Sequence, residues 1–201
     1  MKLEIGGGVI PREGYINVDY MDHPKVDHKV NLNTDKLPFP DNTVDEIYSN
    51  HCLEHLQQGY DGFLQCVEEM WRVSKPNAPW IIRVPYFNSH HTLSNPFHSN
   101  NIFNEYTFYY FSDEHKNQYC SNVFVRKGSC FEYNFKATLI VDKIDLEFFD
   151  NYKVLDTYPP EKITQITHKE INVVDNITYH LRAEKPDFWI KERIRNSRYE
   201  G

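Results

Sequence analysis

Two histidines and a glutamate lie close together in the sequence, at His51, Glu54 and His55. Residues three and four apart share one face of a helix, so a helical turn here would bring the three side chains together. Imidazole nitrogens and a carboxylate can bind a divalent metal ion, and a neutral imidazole can act as a general base. The same groups could also be structural and hydrogen-bond to one another, and the spacing alone leaves these three interpretations open.

A glycine-rich run is the second chemical feature of the chain. The first apolar stretch contains one carboxylate, Glu4, and leads into three glycines, Gly6–Gly8, while the next apolar stretch ends at Asp19. A strand, a glycine loop and an acidic strand end are typical of nucleotide-binding folds, in which the acid accepts hydrogen bonds from ribose hydroxyls.

The connection between these two stretches is short. Only ten residues separate Gly8 from Asp19, and several of them must belong to the second strand. A parallel crossover usually needs a dozen or more residues and a helix, so the sequence predicts that the first crossover helix is shortened or missing. Because dinucleotide phosphates bind at the N-terminus of such a helix, the loop favours a nucleoside cofactor without phosphates. S-adenosyl-L-methionine (SAM) is the obvious candidate.

Alternating apolar and turn-forming segments predict an α/β protein that positions these groups. Strands are expected at residues 2–5, 15–19, 27–32, 44–49, 80–84, 131–148 and 171–184. A helix is expected at 61–73, where apolar side chains recur at helical spacing, and a shorter one at 161–168. Residues 86–130 show no clear period, so we predict a lid or acceptor-binding insertion there, within a single domain that spans residues 1–201.

Composition and charge limit the possible partners. A formal net charge of −7 argues against nucleic acid as the main partner, since phosphate backbones bind clustered Lys and Arg. No apolar run is long enough to span a membrane, and no signal peptide precedes the first strand. The four cysteines form no CxxC pair, which is typical of reduced thiols, so we expect a cytoplasmic location. The abrupt start at a core strand would fit one domain of a larger polypeptide.

Several segments of the first half of the chain resemble class I SAM-dependent methyltransferases, namely residues 3–8, 16–19, 37–48, 53–56 and 71–76. The resemblance implies a Rossmann-like sheet of seven strands, mostly parallel with an antiparallel edge strand. It implies that the glycine loop holds the methionine end of SAM, that Asp19 holds the ribose and that residues 31–33 lie near the adenine. The predicted cofactor-binding residues are Glu4, Gly6, Gly7, Gly8, Asp19, Tyr20, Asn31, Leu32, Asn33 and Asn50.

A narrower resemblance concerns the histidine cluster. In small-RNA 2′-O-methyltransferases and ubiquinone-pathway O-methyltransferases, a Glu-x-x-Glu-His motif at this place binds a divalent cation, and the RNA enzymes add a later histidine. Residues 95–98 resemble the segment that bears this later histidine. The resemblance implies a metal site made of His51, Glu54, His55 and His98. Mn, Mg or Zn could bind there, and the imidazoles shift the preference away from Mg. The predicted catalytic residues are His51, His91 and His98.

The expected acceptor is a hydroxyl group of a carbohydrate or sugar conjugate. The acidic chain disfavours RNA, and the histidines and aromatics after residue 86 suit a ring-shaped, hydroxyl-rich molecule. The chain also resembles the methyltransferase domain of multidomain glycan-synthesising proteins of large DNA viruses, which would place it in the host cytoplasm. Two alternatives stay open: a metal-free methyltransferase that uses a histidine base on another small hydroxylated acceptor, and a SAM-binding module without activity. A nicotinamide-dependent oxidoreductase is disfavoured by the short glycine-loop connection.

Overall fold

The computed structural model describes residues 1–59, 61–98, 100–112 and 136–185. Within these residues the strands are β1 Lys2–Ile5, β2 Ile16–Asp19, β3 His28–Lys29, β4 Glu46–Asn50, β5 Pro79–Pro85, β6 Thr138–Phe148 and β7 Val174–Glu184. The α-helices are α1 Phe63–Val73, α2 His90–Ser94 and α3 Pro160–Thr167. Short 3₁₀ helices occupy Leu53–His55, Thr107–Phe111 and Asp150–Thr157.

The seven strands form one sheet in the order β3-β2-β1-β4-β5-β7-β6. The first five strands pair in parallel. Strand β7 lies between β5 and β6 and runs antiparallel to both, so the edge strand β6 is held by an antiparallel pair. The predicted Rossmann-like sheet, mostly parallel with antiparallel pairing at one edge, is confirmed.

The element boundaries differ from the predicted ones most clearly at β3 and β6. Strand β3 pairs with β2 only at His28–Lys29, because the chain turns at Asn31, whose carbonyl accepts hydrogen bonds from Thr34 and Asp35. The apolar pattern over 27–32 therefore reflects the burial of side chains and not the pairing of a strand. Strand β6 is seen from Thr138, and the earlier part of its predicted range, 131–135, lies outside the described residues. So do residues 113–130 of the predicted insertion and 186–201 of the predicted domain.

The connection from β1 to β2 contains no helix, as predicted from its length. Gly6 and Gly8 adopt positive φ angles of 74° and 55°, a conformation that glycine adopts without steric cost. The loop is tied to the sheet because Asn17 Nδ2 donates to the Gly8 carbonyl at 2.9 Å and the Arg12 amide donates to Glu4. Side-chain contacts thus replace the helix that normally joins two parallel strands.

The core lies on one face of the sheet. Ile47 of β4, Ile82 of β5 and Met70 of α1 are fully buried in one cluster. The alternate residues of these strands, such as Tyr48 and Arg83, point to the opposite face and are only partly buried. The carboxyl ends of the parallel strands meet at one edge of the sheet, where such folds bind their ligands. No helix among the described residues is long and apolar enough to cross a membrane.

Candidate active site

A cavity of about 980 Å³ opens at the carboxyl ends of β1, β2 and β4. The strand order reverses between β1 and β4, which is the position at which open α/β sheets bind ligands. Its volume lies at the upper end of the range for small-molecule sites, so it has room for a nucleoside cofactor and part of a second molecule. Six of the predicted cofactor-binding residues line it: Gly6, Asp19, Tyr20, Asn31, Leu32 and Asn33.

Asp19 is the charged group best placed for a ribose. Its side chain is buried, and its carboxylate accepts hydrogen bonds from the Gly8 amide at 2.9 Å and the Met21 amide at 3.0 Å. A carboxylate has about four acceptor positions, so these two bonds hold its orientation and leave capacity for hydroxyl groups. The residues present therefore fit the nucleoside part of SAM.

The remaining predicted cofactor residues shape this wall without lining it. The Glu4 carboxylate accepts from the Arg12 amide. A Cβ atom on Gly7 would lie 2.5 Å from Asn17 Oδ1, so the loop can pack here only with glycine. Asn50 accepts a hydrogen bond from Arg83 Nη1 at 3.1 Å. Thus Glu4, Gly7 and Gly8 shape the glycine loop, and Asn50 faces the Arg83 side chain of β5.

Cys52 is a wall residue that the sequence analysis did not single out. A Cβ atom on Gly6 would lie 2.3 Å from its Sγ atom, so the thiol packs directly against the glycine loop. Burial raises the pKa of Cys52 well above its ordinary value. The thiol therefore stays protonated and acts as an uncharged part of the wall.

Glu54, His55 and His98 come together beside this cavity. Glu54 and His55 lie on the 3₁₀ helix after β4, and His98 follows α2. One possible ligand atom from each lies within 4.8 Å of the others, and the two imidazole centroids are 4.6 Å apart. Atoms bound to a single ion at about 2.1 Å lie at most about 4.2 Å apart, so only a small closure would bring all three onto one ion.

Glu54 is the strongest sign of a binding function in this cluster. The residue is 1% exposed, and neither carboxylate oxygen has a hydrogen-bond partner among the described residues. His51 Nδ1 lies 3.3 Å from Glu54 Oε1 but without hydrogen-bond alignment. Buried polar groups in proteins are nearly always hydrogen-bonded, so the two oxygens call for a partner such as a cation.

His98 is prepared to act as a neutral ligand. Burial lowers its pKa below the ordinary value of 6.5, and its Nδ1 lies 2.9 Å from the His91 carbonyl, to which it donates. A metal-ligating histidine typically donates its second ring N–H to a carbonyl or carboxylate in this way. The other nitrogen, Nε2, lies 3.1 Å from Asn95 Nδ2. Two imidazoles and a carboxylate thus form a donor set that fits a divalent cation.

His51 and His91 lie next to the cluster but their side chains are not part of it. His51 Nε2 is 2.7 Å from Arg83 Nη1, and because arginine only donates hydrogen bonds, this nitrogen accepts one. The His91 imidazole lies 3.3 Å from Asp175 Oδ1 and does not line the cavity. The structure therefore brings together three of the four predicted metal ligands and turns His51 toward Arg83.

Besides Cys52, sequence reasoning assigned no role to three residues that the structure places at the site. Arg83 contacts His51, and Asn95 contacts His98. Asn100 lines the cavity and carried no pattern of its own. The one available signal for Arg83 was a charge at the end of an otherwise apolar strand.

Comparisons with known proteins agree with this architecture. Residues 16–82, which span β2 to β5, match a family model described as a methyltransferase domain. A SAM-dependent methyltransferase from Methanosarcina mazei is similar in structure, with a TM-score of 0.53, 12% identity and 92% of each chain covered. One from Archaeoglobus fulgidus has a TM-score of 0.52 and 16% identity, with 90% of this chain and 85% of that one covered. The YcgJ protein from Bacillus subtilis has a TM-score of 0.50 and 12% identity, with 92% of each chain covered. No curated protein sequence matches the chain significantly.

At these identities the structural similarity establishes the fold, which is that of the α/β methyltransferases. The family match adds that residues 16–82 are similar to a methyltransferase domain. The chain therefore has the fold of the SAM-dependent methyltransferases.

Proposed function

We propose that the enzyme transfers the methyl group of SAM to a hydroxyl group of a carbohydrate or sugar conjugate, with a divalent cation held at the active site. In this reaction the acceptor oxygen forms a bond to the methyl carbon while the bond between that carbon and the SAM sulfur breaks. The acceptor hydroxyl loses its proton to a neighbouring base or water. The protein must align the two reactants, and such alignment can supply about 7–11 kcal/mol of the barrier reduction.

Part of the cavity lining supports a sugar as acceptor. It carries Asn95, Phe97 and Asn100 beside His55. The amide groups can both donate to and accept from hydroxyl groups, and the 72% exposed Phe97 ring offers an apolar surface to the C–H face of a sugar. Residues 86–98 and 100–112 would then be the described part of the predicted acceptor-binding insertion.

The charges around the cavity disfavour a phosphate-rich acceptor. Lys29 is the one lysine or arginine among the described lining residues, and its ammonium group lies 3.1 Å from Asp22. Nucleic acids depend on several unpaired basic groups for affinity. This uncharged polar wall with one exposed ring is the observation that carries the proposal. The link to viral glycan-synthesising proteins stays a prediction.

Glu54, His55 and His98 would hold the cation. When bound, a divalent cation lowers the pKa of a hydroxyl group that it coordinates, which favours the attacking alkoxide. The imidazoles favour Mn²⁺ or Zn²⁺ over Mg²⁺. The His91 carbonyl orients His98, and Asn95 would have to release His98 Nε2 for that nitrogen to bind a metal.

A metal-free mechanism with a histidine base is the second candidate. The observation that favours it is the lowered pKa of His98, which keeps this imidazole neutral at pH 7 and able to accept a proton. In that case the same cavity would bind the hydroxylated acceptor without a cation.

The acceptor is tested by methyl transfer from labelled SAM to a panel of oligosaccharides, RNA oligonucleotides and small phenols. We expect label on sugar hydroxyls. For the reactive sugar, Phe97→Ala should raise KM about tenfold, equivalent to about 1.4 kcal/mol, because the ring contact is lost. Phe97→Tyr keeps the ring and should restore KM, and Ile171→Ala serves as an exposed control away from the cavity. Label on RNA alone would contradict the sugar acceptor.

A further inference from the structure

Arg83 joins two parts of the molecule at the carboxyl end of β5. Its guanidinium reaches across β7 to Glu147 of β6, with Nε 2.7 Å from Oε1 and Nη2 2.6 Å from Oε2. The remaining nitrogen, Nη1, lies 2.7 Å from His51 Nε2. A bidentate arginine–carboxylate pair has a fixed geometry, so Glu147 determines where Arg83 presents Nη1, which donates to both His51 and Asn50.

This contact decides which nitrogen of His51 carries the proton. A guanidinium has five N–H donors and no acceptor, so Nε2 must present its lone pair to Arg83. In the neutral ring the proton then resides on Nδ1, which is the nitrogen that lies 3.3 Å from Glu54 Oε1. The His51 nitrogen nearest to Glu54 is therefore protonated and has no lone pair to offer a metal ion.

The backbone holds His51 in the same place. Its amide donates to the Arg83 carbonyl at 2.9 Å, and its φ angle is 52°, which is uncommon for a residue other than glycine. Such strained residues persist where the surrounding structure holds them firmly, and they cluster at functional sites. Arg83 thus fixes both the main chain and the imidazole of His51.

We propose that Arg83, anchored by Glu147, is a positioning residue for the metal site. It holds the protonated Nδ1 of His51 3.3 Å from Glu54 Oε1 and so keeps His51 from acting as a metal ligand. The inference rests on the proposed cation at Glu54, His55 and His98. It explains why a four-residue motif yields a cluster of three ligands: the lone pair of His51 Nε2 is occupied by Arg83, and the nitrogen nearest to Glu54 is protonated.

The first test uses metal-free protein labelled with ¹⁵N in its histidines. NMR spectra should show His51 protonated on Nδ1 and unprotonated on Nε2 in the wild type. In Arg83→Lys, whose single ammonium cannot hold Glu147 and His51 together, the two tautomers should mix. A wild-type His51 protonated on Nε2 would overturn the inference, whether or not a metal binds.

The second test measures Mn²⁺ affinity by electron paramagnetic resonance. Arg83→Lys should lower it about 10–100-fold, the usual cost of losing a residue that supports a metal site from outside the ligand set, while SAM affinity stays unchanged. Glu147→Gln, a milder change that keeps Arg83, should lower it less. The matched control is Arg182→Lys, since Arg182 forms a bidentate pair with Asp142 at 2.7 Å on a neighbouring strand, away from His51.

The outcomes separate the two proposals. An equal effect of Arg83→Lys and Arg182→Lys on Mn²⁺ affinity would overturn the positioning role of Arg83. A wild-type protein that binds no Mn²⁺, Zn²⁺ or Mg²⁺ would instead overturn the proposed metal site, and the His51 tautomer would then decide alone whether Arg83 controls His51.

Discussion

Glu54 combines deep burial with two carboxylate oxygens that lack hydrogen bonds. A carboxylate in this position reduces stability unless a cation or a donor compensates it. Residues that serve a reaction often reduce the stability of the protein in this way. The ligand cluster is therefore the place where function and stability should respond in opposite directions to one substitution.

Substituting a ligand of this cluster tests the metal directly. We expect Glu54→Gln to raise the melting temperature of the metal-free protein, because a neutral amide is less costly to bury than an unpaired carboxylate. The same variant should lose the stabilisation that Mn²⁺ gives the wild type. Methyl transfer should be lost in His98→Ala and in wild-type protein treated with a chelator. Both proteins should still bind SAM.

The control for these variants is His180→Ala. His180 forms a comparable pair with Asp145, with 2.9 Å between nitrogen and oxygen, but it lies outside the ligand cluster. Full methyl transfer in the presence of a strong chelator would contradict the metal-assisted mechanism and would leave the histidine-base mechanism in its place.

The element that most distinguishes this fold is the loop of residues 6–15. It takes the place of a crossover helix and covers the sheet with side chains, for example with the Arg12 guanidinium 4.5 Å above the ring of Tyr48. Its glycines have different reasons to be glycine. Gly7 lacks room for a Cβ atom, whereas Gly8 has open space around it but a φ of 55°.

Alanine substitutions in this loop should separate steric clash from backbone strain. Gly7→Ala should lower the free energy of unfolding by about 2 kcal/mol, because its Cβ atom would displace Asn17 in a packed site. Gly8→Ala should lower it by about 1 kcal/mol through its left-handed backbone alone. Urea denaturation measures both values, and calorimetric titration with SAM should show the larger loss of affinity for Gly7→Ala. Equal effects of the two substitutions would contradict the clash at Asn17.

At the scale of the whole molecule, one face of the sheet is polar and only partly buried in the part of the chain that the structure describes. Parallel sheets are normally covered on both faces, yet here the side opposite the core carries ion pairs such as Arg83–Glu147 and Arg182–Asp142. The exposed polar face is consistent with the missing first crossover helix. Ion pairs therefore lie on part of the sheet face that helices cover in related folds.

Ion pairs of this kind make stability depend on acid. Hydrogen bonds from Lys75 and, secondarily, from the terminal amino group lower the pKa of Asp45 from 3.8 to about 2. The Arg83 guanidinium likewise lowers the pKa of Glu147 below its ordinary 4.5. A carboxyl group with a lowered folded-state pKa stabilises the protein fully above its ordinary pKa, and this stabilisation disappears as the pH falls through the lowered value.

We therefore expect the urea concentration at the midpoint of unfolding to decrease as the pH is lowered from about 4.5 to about 2. Asp45→Asn should flatten this slope near its lower end, because the group that becomes protonated there is removed. Asp61→Asn, which changes another exposed carboxylate, is the control. If the urea midpoint depends on pH equally in Asp45→Asn and Asp61→Asn, Asp45 contributes no acid sensitivity.

The sequence by itself determined the elements and their direction. Apolar runs and their spacing located six of the seven strands to within a few residues. The seventh, β6, was predicted to start earlier, and residues 131–135 of its predicted range lie outside the described residues. The short span between Gly8 and Asp19 correctly excluded a crossover helix. Local pattern succeeded here because strand alternation, helical spacing and chain reach depend on neighbouring residues. It also placed Glu54 and His55 at the carboxyl end of β4.

Only the tertiary structure decided which distant groups meet. The parallel pairing of β4 with β5 places Asn50 opposite Arg83, and this brings the guanidinium to His51. The turn after α2 brings His98 to Glu54 and His55. Such contacts depend on strand register and loop packing, which no local pattern encodes. For this reason the sequence offered four equivalent candidate ligands, whereas the folded chain brings three of them together and holds the fourth by hydrogen bonds to Arg83.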